Sequence, residues 1–202
     1  MHALALALDA RPVAECAPDV LERAQAGDRA AWRALVERFQ APVHALIWRL
    51  LAGRAQHRAP DLTQETFVRV LRALPKFDPN GPASLSTWVL TIATRLALNE
   101  LRRPDLAPLA ALHAEPIAPE RERVEAQVDR KRLGEAIAAG VAQLPDAQRA
   151  VLVLREYHEL DYAAIASALE IDLGTVKSRL ARARAALREH LIAIMPELGD
   201  RR

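Results

Sequence analysis

Histidine, cysteine and clustered carboxylates carry most protein chemistry, and in this chain they are dispersed. His2, His44, His57, His113, His158 and His190 stand apart, and Cys16 is the only cysteine. No Cys–His pair or His-x-x-x-His spacing prepares a metal site. No glycine-rich loop prepares a phosphate site. The expectation is a protein that is not an enzyme and holds no metal or cofactor. What the spacing does offer is charge neutralisation. Between Gly174 and Arg188 stand Lys177, Arg179, Arg182, Arg184 and Arg188, with no acid. The preceding stretch from Gly140 to Leu173 is acidic, with Asp146, Glu156, Glu159, Asp161, Glu170 and Asp172 against Arg149 and Arg155. The net charge is only +2, so it is this local asymmetry that points to a polyanion.

Those cations need a scaffold. Asp161 can cap a short helix to Leu169, whose Ala163, Ala166 and Ala168 permit close helix crossing. A turn over Glu170–Asp172 leads into a helix over Leu173–Ile194, the order of a helix-turn-helix. Val176, Leu180 and Leu187 fall on its inner face. Thr175, Ser178 and Arg182 share the face that enters a groove; Lys177, Arg179 and Arg184 suit backbone phosphates. An isolated basic helix is more often a solvated face, but here the cap, short helix and tight turn favour the DNA-binding motif.

Alanine and leucine dominate, aromatic residues make up 4%, and glycine is scarce, which favours helices. Residues 1–18 read as a flexible tail. A helix is expected over Asp19–Phe39, with Trp32, Leu35, Val36 and Phe39 on one stripe, and a second stretch after Pro42 carries Val43, Leu46, Ile47, Leu50 and Leu51. Asp61 is expected to cap a helix buried through Phe67, Val70, Leu71 and Leu74, and Pro75 to end it. Ser84 caps another to about Arg103. Its inner face is Trp88, Val89, Ile92 and Leu96, and its outer face Thr87, Thr91, Thr94, Arg95 and Arg102. Pro104, Pro108, Pro116 and Pro119 forbid a helix across 104–119, the expected linker. Helices resume over Glu120–Leu144, with Val124, Val128, Ile137 and Val141 apolar, and over Asp146–Tyr157. The architecture read is all-α: two small helical domains, 19–103 and 120–195, joined by a flexible proline-rich linker, with a tail at 196–202 and the helix-turn-helix in the second domain.

The run Leu144-Pro145, Arg149, Asp161-Tyr162, Ile165-Ala166, Gly174-Thr175-Val176-Lys177-Ser178-Arg179 and Arg182-Ala183-Arg184 resembles the domain of bacterial sigma factors that binds the minus-thirty-five promoter element. It is most similar to the extracytoplasmic-function group. Two segments of the first half resemble the same family. Asp61-Leu62-Thr63-Gln64-Glu65-Thr66-Phe67 resembles the helix that docks on core RNA polymerase, implying polymerase contacts at Asp61, Gln64, Glu65 and Arg69 with Phe67 behind them. Phe77, Ser86-Thr87-Trp88-Val89, Ile92-Ala93 and Arg102-Arg103 resemble the helix that opens and reads the minus-ten element. That likeness implies minus-ten roles for Asn80, Ser86, Thr87, Trp88, Thr91, Arg95, Asn99, Arg102 and Arg103. The loop from Asn80 to Thr87 would receive an extruded base, whose unstacking costs a few kcal/mol. Arg95 stands where relatives often have Asn, Asn99 where Asp is frequent, and Ala164 where Glu is common.

The resemblance implies a sigma factor that directs core polymerase to promoters. Its partners would be polymerase, promoter DNA and an anti-sigma factor, with no small-molecule substrate and no membrane insertion. The two promoter elements would lie about seventeen base pairs apart, roughly 55–60 Å; residues 104–119, fully extended, reach roughly 50 Å. The lone cysteine, the absence of a membrane-length apolar run and a start without basic residues before its apolar stretch fit a cytoplasmic protein without a signal peptide. A ligand-responsive dimeric repressor and a module that only binds an anti-sigma factor are the rival readings.

Overall fold

The structure, a computed structural model, describes residue 13, residues 15–103 and residues 124–196, with the backbone alone over 124–130. Residues 1–12 and 14 of the expected tail at 1–18, residues 197–202 of the expected tail at 196–202, the linker over 104–119, and the side chains of Val124 and Val128 lie outside the described residues. Among those described there is no β-strand; eight helices form two groups.

The first group begins with α1 (Pro18–Gln25), its proline at the first turn, where a missing N–H costs nothing. The single helix expected from Asp19 to Phe39 is interrupted. Gly27 takes φ +90°, a left-handed conformation that ends α1, and Asp28 caps α2 (Arg29–Leu50) through Ala30 N (2.7 Å) and Ala31 N (3.3 Å). Conversely, α2 runs straight through Pro42. An internal proline costs about 3 kcal/mol. Phe39, Val43, Leu46 and Ile47, all fully buried around it, each return about 1.5–3 kcal/mol and hold the helix together.

Helix α3 (Ala59–Ala73) follows a 3-10 turn at Gln56–Arg58 and starts two residues before Asp61. Asp61 is therefore not the cap. It lies in the first turn, where a carboxylate suits the helix dipole, and pairs with Arg58 at 2.6 Å. Phe67, Val70 and Leu74 are buried as expected, with Leu62 and Thr66 beside them. Leu71 is not: it is 48% exposed, because α2 covers only part of the stripe. Gln25 Nε2 donates to Leu74 O (3.0 Å) and Phe77 O (2.7 Å), satisfying carbonyls where α3 ends.

Ser84 caps α4 (Leu85–Leu101), accepting from Thr87 N at 3.3 Å. Val89 and Leu96 are buried with Leu90, Ala93 and Ala97, while Trp88 and Ile92 are half-buried. Thr94, expected on the outer face, is fully buried, and its hydroxyl is satisfied by Leu90 O at 2.8 Å.

The second group comprises α5 (Val124–Gln143), α6 (Asp146–Glu156), α7 (Tyr162–Leu169) and α8 (Leu173–Ile194). Ile137, Val141, Val151, Leu154, Ile165, Val176, Leu180 and Leu187 form its core. At Gly140 a Cβ would fall 2.6 Å from a Leu187 methyl and 2.7 Å from the His190 ring, so bare backbone lets α5 approach α8.

The two groups touch along α2 with α6 and along α4 with α7. Arg54 Nη1 pairs with Asp146 at 2.9 Å. Arg149, 3% exposed, crosses the junction: Nη1 donates to Leu50 O (2.9 Å), Nε to Val141 O (3.1 Å) and Nη2 to Ala142 O and Leu144 O (both 2.8 Å). Burial pushes its pKa down, Asp146 opposes that shift and Arg54 adds to it, yet a guanidinium keeps its charge.

Candidate functional site

The helix-turn-helix is assembled by two local caps. Asp161 accepts from Ala164 N at 2.7 Å and starts α7. Asp172 accepts from Thr175 N at 2.7 Å and from the Thr175 hydroxyl at 2.6 Å and starts α8. These bonds hold the Asp172 carboxyl below the usual carboxylate range. Between the helices Glu170 adopts φ +56°, the left-handed conformation that closes α7. Ile165, Val176 and Leu180 lock the two helices together.

On α8, Lys177, Ser178 and Arg182 are exposed, Thr175 and Arg179 are half-buried, and Val176, Leu180, Ala183 and Leu187 face inward. The structure uses Arg184 differently from a phosphate contact. Its Nε and Nη2 grip Glu156 Oε1 of α6 at 3.0 and 2.5 Å, against a carboxylate only 11% exposed. Sequence reasoning missed this pair because its partners are 28 residues apart. Among the described residues no acid pairs with Lys177, Arg179 or Arg182.

On α4 and the loop before it, the predicted residues come together on one side. Asn80 lies in a turn whose N–H is held by Asp78 Oδ1 at 2.9 Å. Ser86 N and its hydroxyl both donate to the Glu15 carboxylate of the N-terminal segment. Thr87 accepts from the Ser84 hydroxyl at 3.2 Å, and Thr91 bonds Thr87 O at 2.8 Å. Trp88 packs against Phe77, ring centres 5.0 Å apart and tilted 41°, and stays partly exposed. Arg102 bonds Asn99 Oδ1 at 3.2 Å within the helix. Arg103 meets Glu100 at 3.1 Å, and Arg58 meets the same carboxylate at 3.1 Å. Burial works against charge on Glu100, but the two arginines outweigh it and hold the carboxyl low. Arg95 reaches out of the first group: Nη2 lies 3.1 Å from Glu170 and donates to Ser167 O at 3.2 Å, and Nε donates to Ala168 O at 3.4 Å.

A third surface lies between α2 and α3. A shallow groove of about 300 Å³ is walled by Trp32 and Val36 from α2 and by Gln64, Phe67, Val68 and Leu71 from α3. Val68 is 46% exposed, so its rim is apolar. Gln64 is exposed on it. Glu65 and Arg69 pair with each other at 2.6 Å. Sequence reasoning found Gln64, missed Val68 and placed Leu71 in the buried stripe; the exposed rim appears only once α2 is seen to leave Val68 and Leu71 uncovered.

Two further residues at the junction also escaped sequence reasoning. Arg149 stood only within a motif, and His158, read among ordinary packing or surface histidines, is 7% exposed beside Arg49, which lies over the Tyr157 ring at 4.2 Å. Burial, and secondarily the Arg49 charge, pushes the His158 pKa down to about 3. Among the described residues no group of three His, Cys, Asp or Glu is arranged to hold a metal, and no helix is long and apolar enough to cross a membrane.

Residues 35–105 match the family model of sigma-70 region 2, and residues 134–187 that of sigma-70 region 4. The chain is 36% identical to the ECF RNA polymerase sigma factor SigE of Mycolicibacterium smegmatis over 82% of its own length, spanning 64% of that protein. It is 33% identical to the RNA polymerase sigma-H factor of Pseudomonas aeruginosa, covering 88% of this chain and 95% of the relative. With the ECF RNA polymerase sigma-E factor of Escherichia coli the identity is 33%, covering 83% and 90%. Among solved structures, CnrH, in complex with the cytosolic domain of CnrY, shares the fold at TM-score 0.59 and 23% identity, covering 86% of this chain and 96% of that one. The sigma factor RpoE of Bartonella quintana, in complex with the anti-sigma factor NepR, does so at 0.62 and 19%, covering 79% and 95%. The groove, the α4 face and the capped cationic helix thus sit in a chain that belongs to the extracytoplasmic-function (ECF) group of RNA polymerase sigma factors.

Proposed function

We propose that the chain divides its work as 19–103 and 120–195, joined through 104–119, and that each part grips a different partner. The apolar-rimmed groove of Trp32, Val36, Gln64, Phe67, Val68 and Leu71 docks on core RNA polymerase, flanked by Asp61, Glu65 and Arg69. The α4 face, with Asn80, Ser86, Thr87, Trp88, Thr91, Asn99 and the cations Arg95, Arg102 and Arg103, opens and reads the minus-ten element. Bases stack on the exposed part of the Trp88–Phe77 pair, and the arginines neutralise the single strand. Helix α8 enters the major groove at the minus-thirty-five element. There Arg182, Ser178 and Thr175 meet base edges and Lys177 and Arg179 meet phosphates. Arg184 holds α8 on α6 through Glu156 and stabilises the reading helix from behind.

Polymerase supplies the phosphoryl transfer, and the chain acts in the cytoplasm, where that enzyme works. An anti-sigma factor that covers these surfaces is the proposed regulator, by analogy with the NepR complex.

The observation that carries this reading is the α8 face. Lys177, Ser178 and Arg182 project outward from a helix whose opposite side is fully buried and whose start is capped by Asp172. Run-off transcription with purified core polymerase over a promoter library tests it. Arg182→Ala is expected to lose discrimination at one minus-thirty-five position by about 1–3 kcal/mol, and Lys177→Ala to weaken all sequences alike and reduce the salt slope by about one. Uniform weakening by Arg182→Ala would remove its base-reading role. Run-off transcripts unchanged by both would overturn the α8 assignment.

A further inference from the structure

A hydroxyl that meets a base edge can donate its one hydrogen or accept one, and the choice decides which base it selects. On α8 that choice is already made for Thr175. Its hydroxyl donates to Asp172 Oδ2 at 2.6 Å, while Asp172 Oδ1 accepts from Thr175 N at 2.7 Å. Chemistry fixes the direction. The bond from the Thr175 hydroxyl, and after it the one from the Thr175 amide, holds the Asp172 carboxyl below the usual carboxylate range, so at neutral pH it has no hydrogen to offer. A Cβ at Gly174 would fall 3.0 Å from Asp172 Oδ1, so bare backbone there leaves the carboxylate room to close on Thr175.

Thr175 Oγ1 is left with lone pairs alone. In the major groove the groups that can donate to them are the N6 amine of adenine and the N4 amine of cytosine; guanine O6 and thymine O4 are themselves acceptors. The remaining lone pairs of the Asp172 carboxylate, exposed beside Thr175, have the same preference. Ser178 is tied less firmly. Its hydroxyl donates to Thr175 O at 3.1 Å, a longer bond to an uncharged carbonyl, which it can give up for either kind of base. Arg182, two turns on from Thr175, carries donors alone and has the opposite preference, for guanine O6 and N7.

We infer that the Asp172–Thr175 pair sets base specificity: it makes the start of α8 an acceptor-only patch that selects adenine or cytosine, by the exocyclic amine, at one position of the minus-thirty-five element and rejects guanine and thymine there. Asp172 is then a positioning residue as well as a cap, since it holds the Thr175 hydrogen away from the base. The inference rests on the assignment of α8 to that element. Docking sharpens the preference, because DNA displaces the water that could otherwise bridge two acceptors.

The test is run-off transcription by holoenzyme assembled from core polymerase and the full chain, with promoters carrying each of the four bases at every minus-thirty-five position in competition. At one position the native chain is expected to prefer adenine and cytosine over guanine and thymine, on one strand, by about three- to tenfold. Thr175→Val keeps the shape and removes the oxygen, so the preference there should fall below about twofold with the other positions unchanged. Thr175→Ser keeps the hydroxyl and its bond to Asp172 and should retain it. Asp172→Asn still caps the helix, but its amide can donate to Thr175 Oγ1 and release the hydroxyl hydrogen, so the preference should move toward guanine and thymine at that position alone. The readout is a ratio between promoters, which a partly unfolded chain would not change. A native preference for guanine or thymine at the position that Thr175→Val affects overturns the inference, and so does an Asp172→Asn chain that keeps the native preference. Arg182→Ala separates the two ways of failing. If Thr175→Val alters no position while Arg182→Ala relaxes one, only the acceptor patch falls. If neither alters any position, α8 is not the reading helix and the proposed function falls with it.

Discussion

Replacing Arg149 should unfold the second helical group selectively. The guanidinium makes four hydrogen bonds to carbonyls that its own helix does not otherwise supply: Val141, Ala142 and Leu144 at the end of α5, and Leu50 at the end of α2. Hydrogen bonds to a charged group contribute roughly 1.5–3 kcal/mol each. The simple sum overshoots, because burying the guanidinium is itself expensive and carbonyls regain water once the side chain is gone. Removing one partner of a buried charged network typically costs about 3–5 kcal/mol, and that is the expected loss for Arg149→Ala. Arg149→Lys is the sharper variant. It keeps the charge, but a single ammonium cannot reach carbonyls lying in four directions as a planar fork does, so about 2 kcal/mol or more should still be lost.

The assay follows from where the tryptophans are. Trp32, Trp48 and Trp88 all lie in the first group, so their fluorescence follows that group, while far-ultraviolet circular dichroism follows both. In urea, Arg149→Ala should shift part of the dichroism transition to lower denaturant and leave the tryptophan transition comparatively late. Among the described residues only the Leu50 bond ties the first group to this side chain. Coincident transitions with a loss under about 0.5 kcal/mol would refute the reasoning, since they would mean that water satisfies those carbonyls as well as the guanidinium does.

The pH dependence has two sources. His158 has a folded pKa of about 3, below its unfolded value, so the unfolded chain binds the extra proton; stability should fall as pH drops below about 6.5, by about 2 kcal/mol at pH 5, and His158→Leu should flatten that slope in urea midpoints. The lowered carboxylates Asp28, Asp172 and Glu100 act further down: their contribution is complete above about pH 4.5 and is lost as pH falls through their folded values, visible as faster amide exchange at Ala30 and Thr175. Gly27→Ala meets no neighbour but forces a left-handed φ on alanine, and should lower stability by about 1 kcal/mol in thermal melts. Leu71→Ser should leave stability within about 0.5 kcal/mol and impair polymerase binding, whereas Leu35→Ala, at full burial, should cost about 2–5 kcal/mol.

What the sequence disclosed was local. Ser84 and Asp161 were legible as caps because a cap and its amides lie within three residues of each other; Asp172 was read only as the end of a turn, although it caps α8 in the same way. The inner stripe of α8 was legible because Val176, Leu180 and Leu187 recur at helical spacing. The break at Gly27 was not, since a glycine is tolerated inside a helix and only the backbone angle shows that it turns. Leu71 fits the buried period of α3, but periodicity does not say how far a neighbouring helix extends, and α2 stops short of covering it. Arg184 counted as one more cation on a basic face because Glu156 lies on another helix. Arg149 and Arg95 were the least legible. Their partners include main-chain carbonyls of distant elements, which carry no residue-type signal at all.

Those two arginines make the same contact in opposite settings. Each places a guanidinium on the carbonyls that close a helix, Arg149 at the end of α5 and Arg95 at the end of α7. The dipole favours a cation at both places by similar amounts. Water access makes the difference. Arg149 is sealed in, so breaking its bonds strands a charge and several acceptors, and the contact holds for as long as the group is folded. Arg95 is half in solvent, so water replaces each lost bond and the contact can be exchanged for another anion at little net cost. An inter-group contact that can be exchanged without unfolding either group therefore has to be of the second kind.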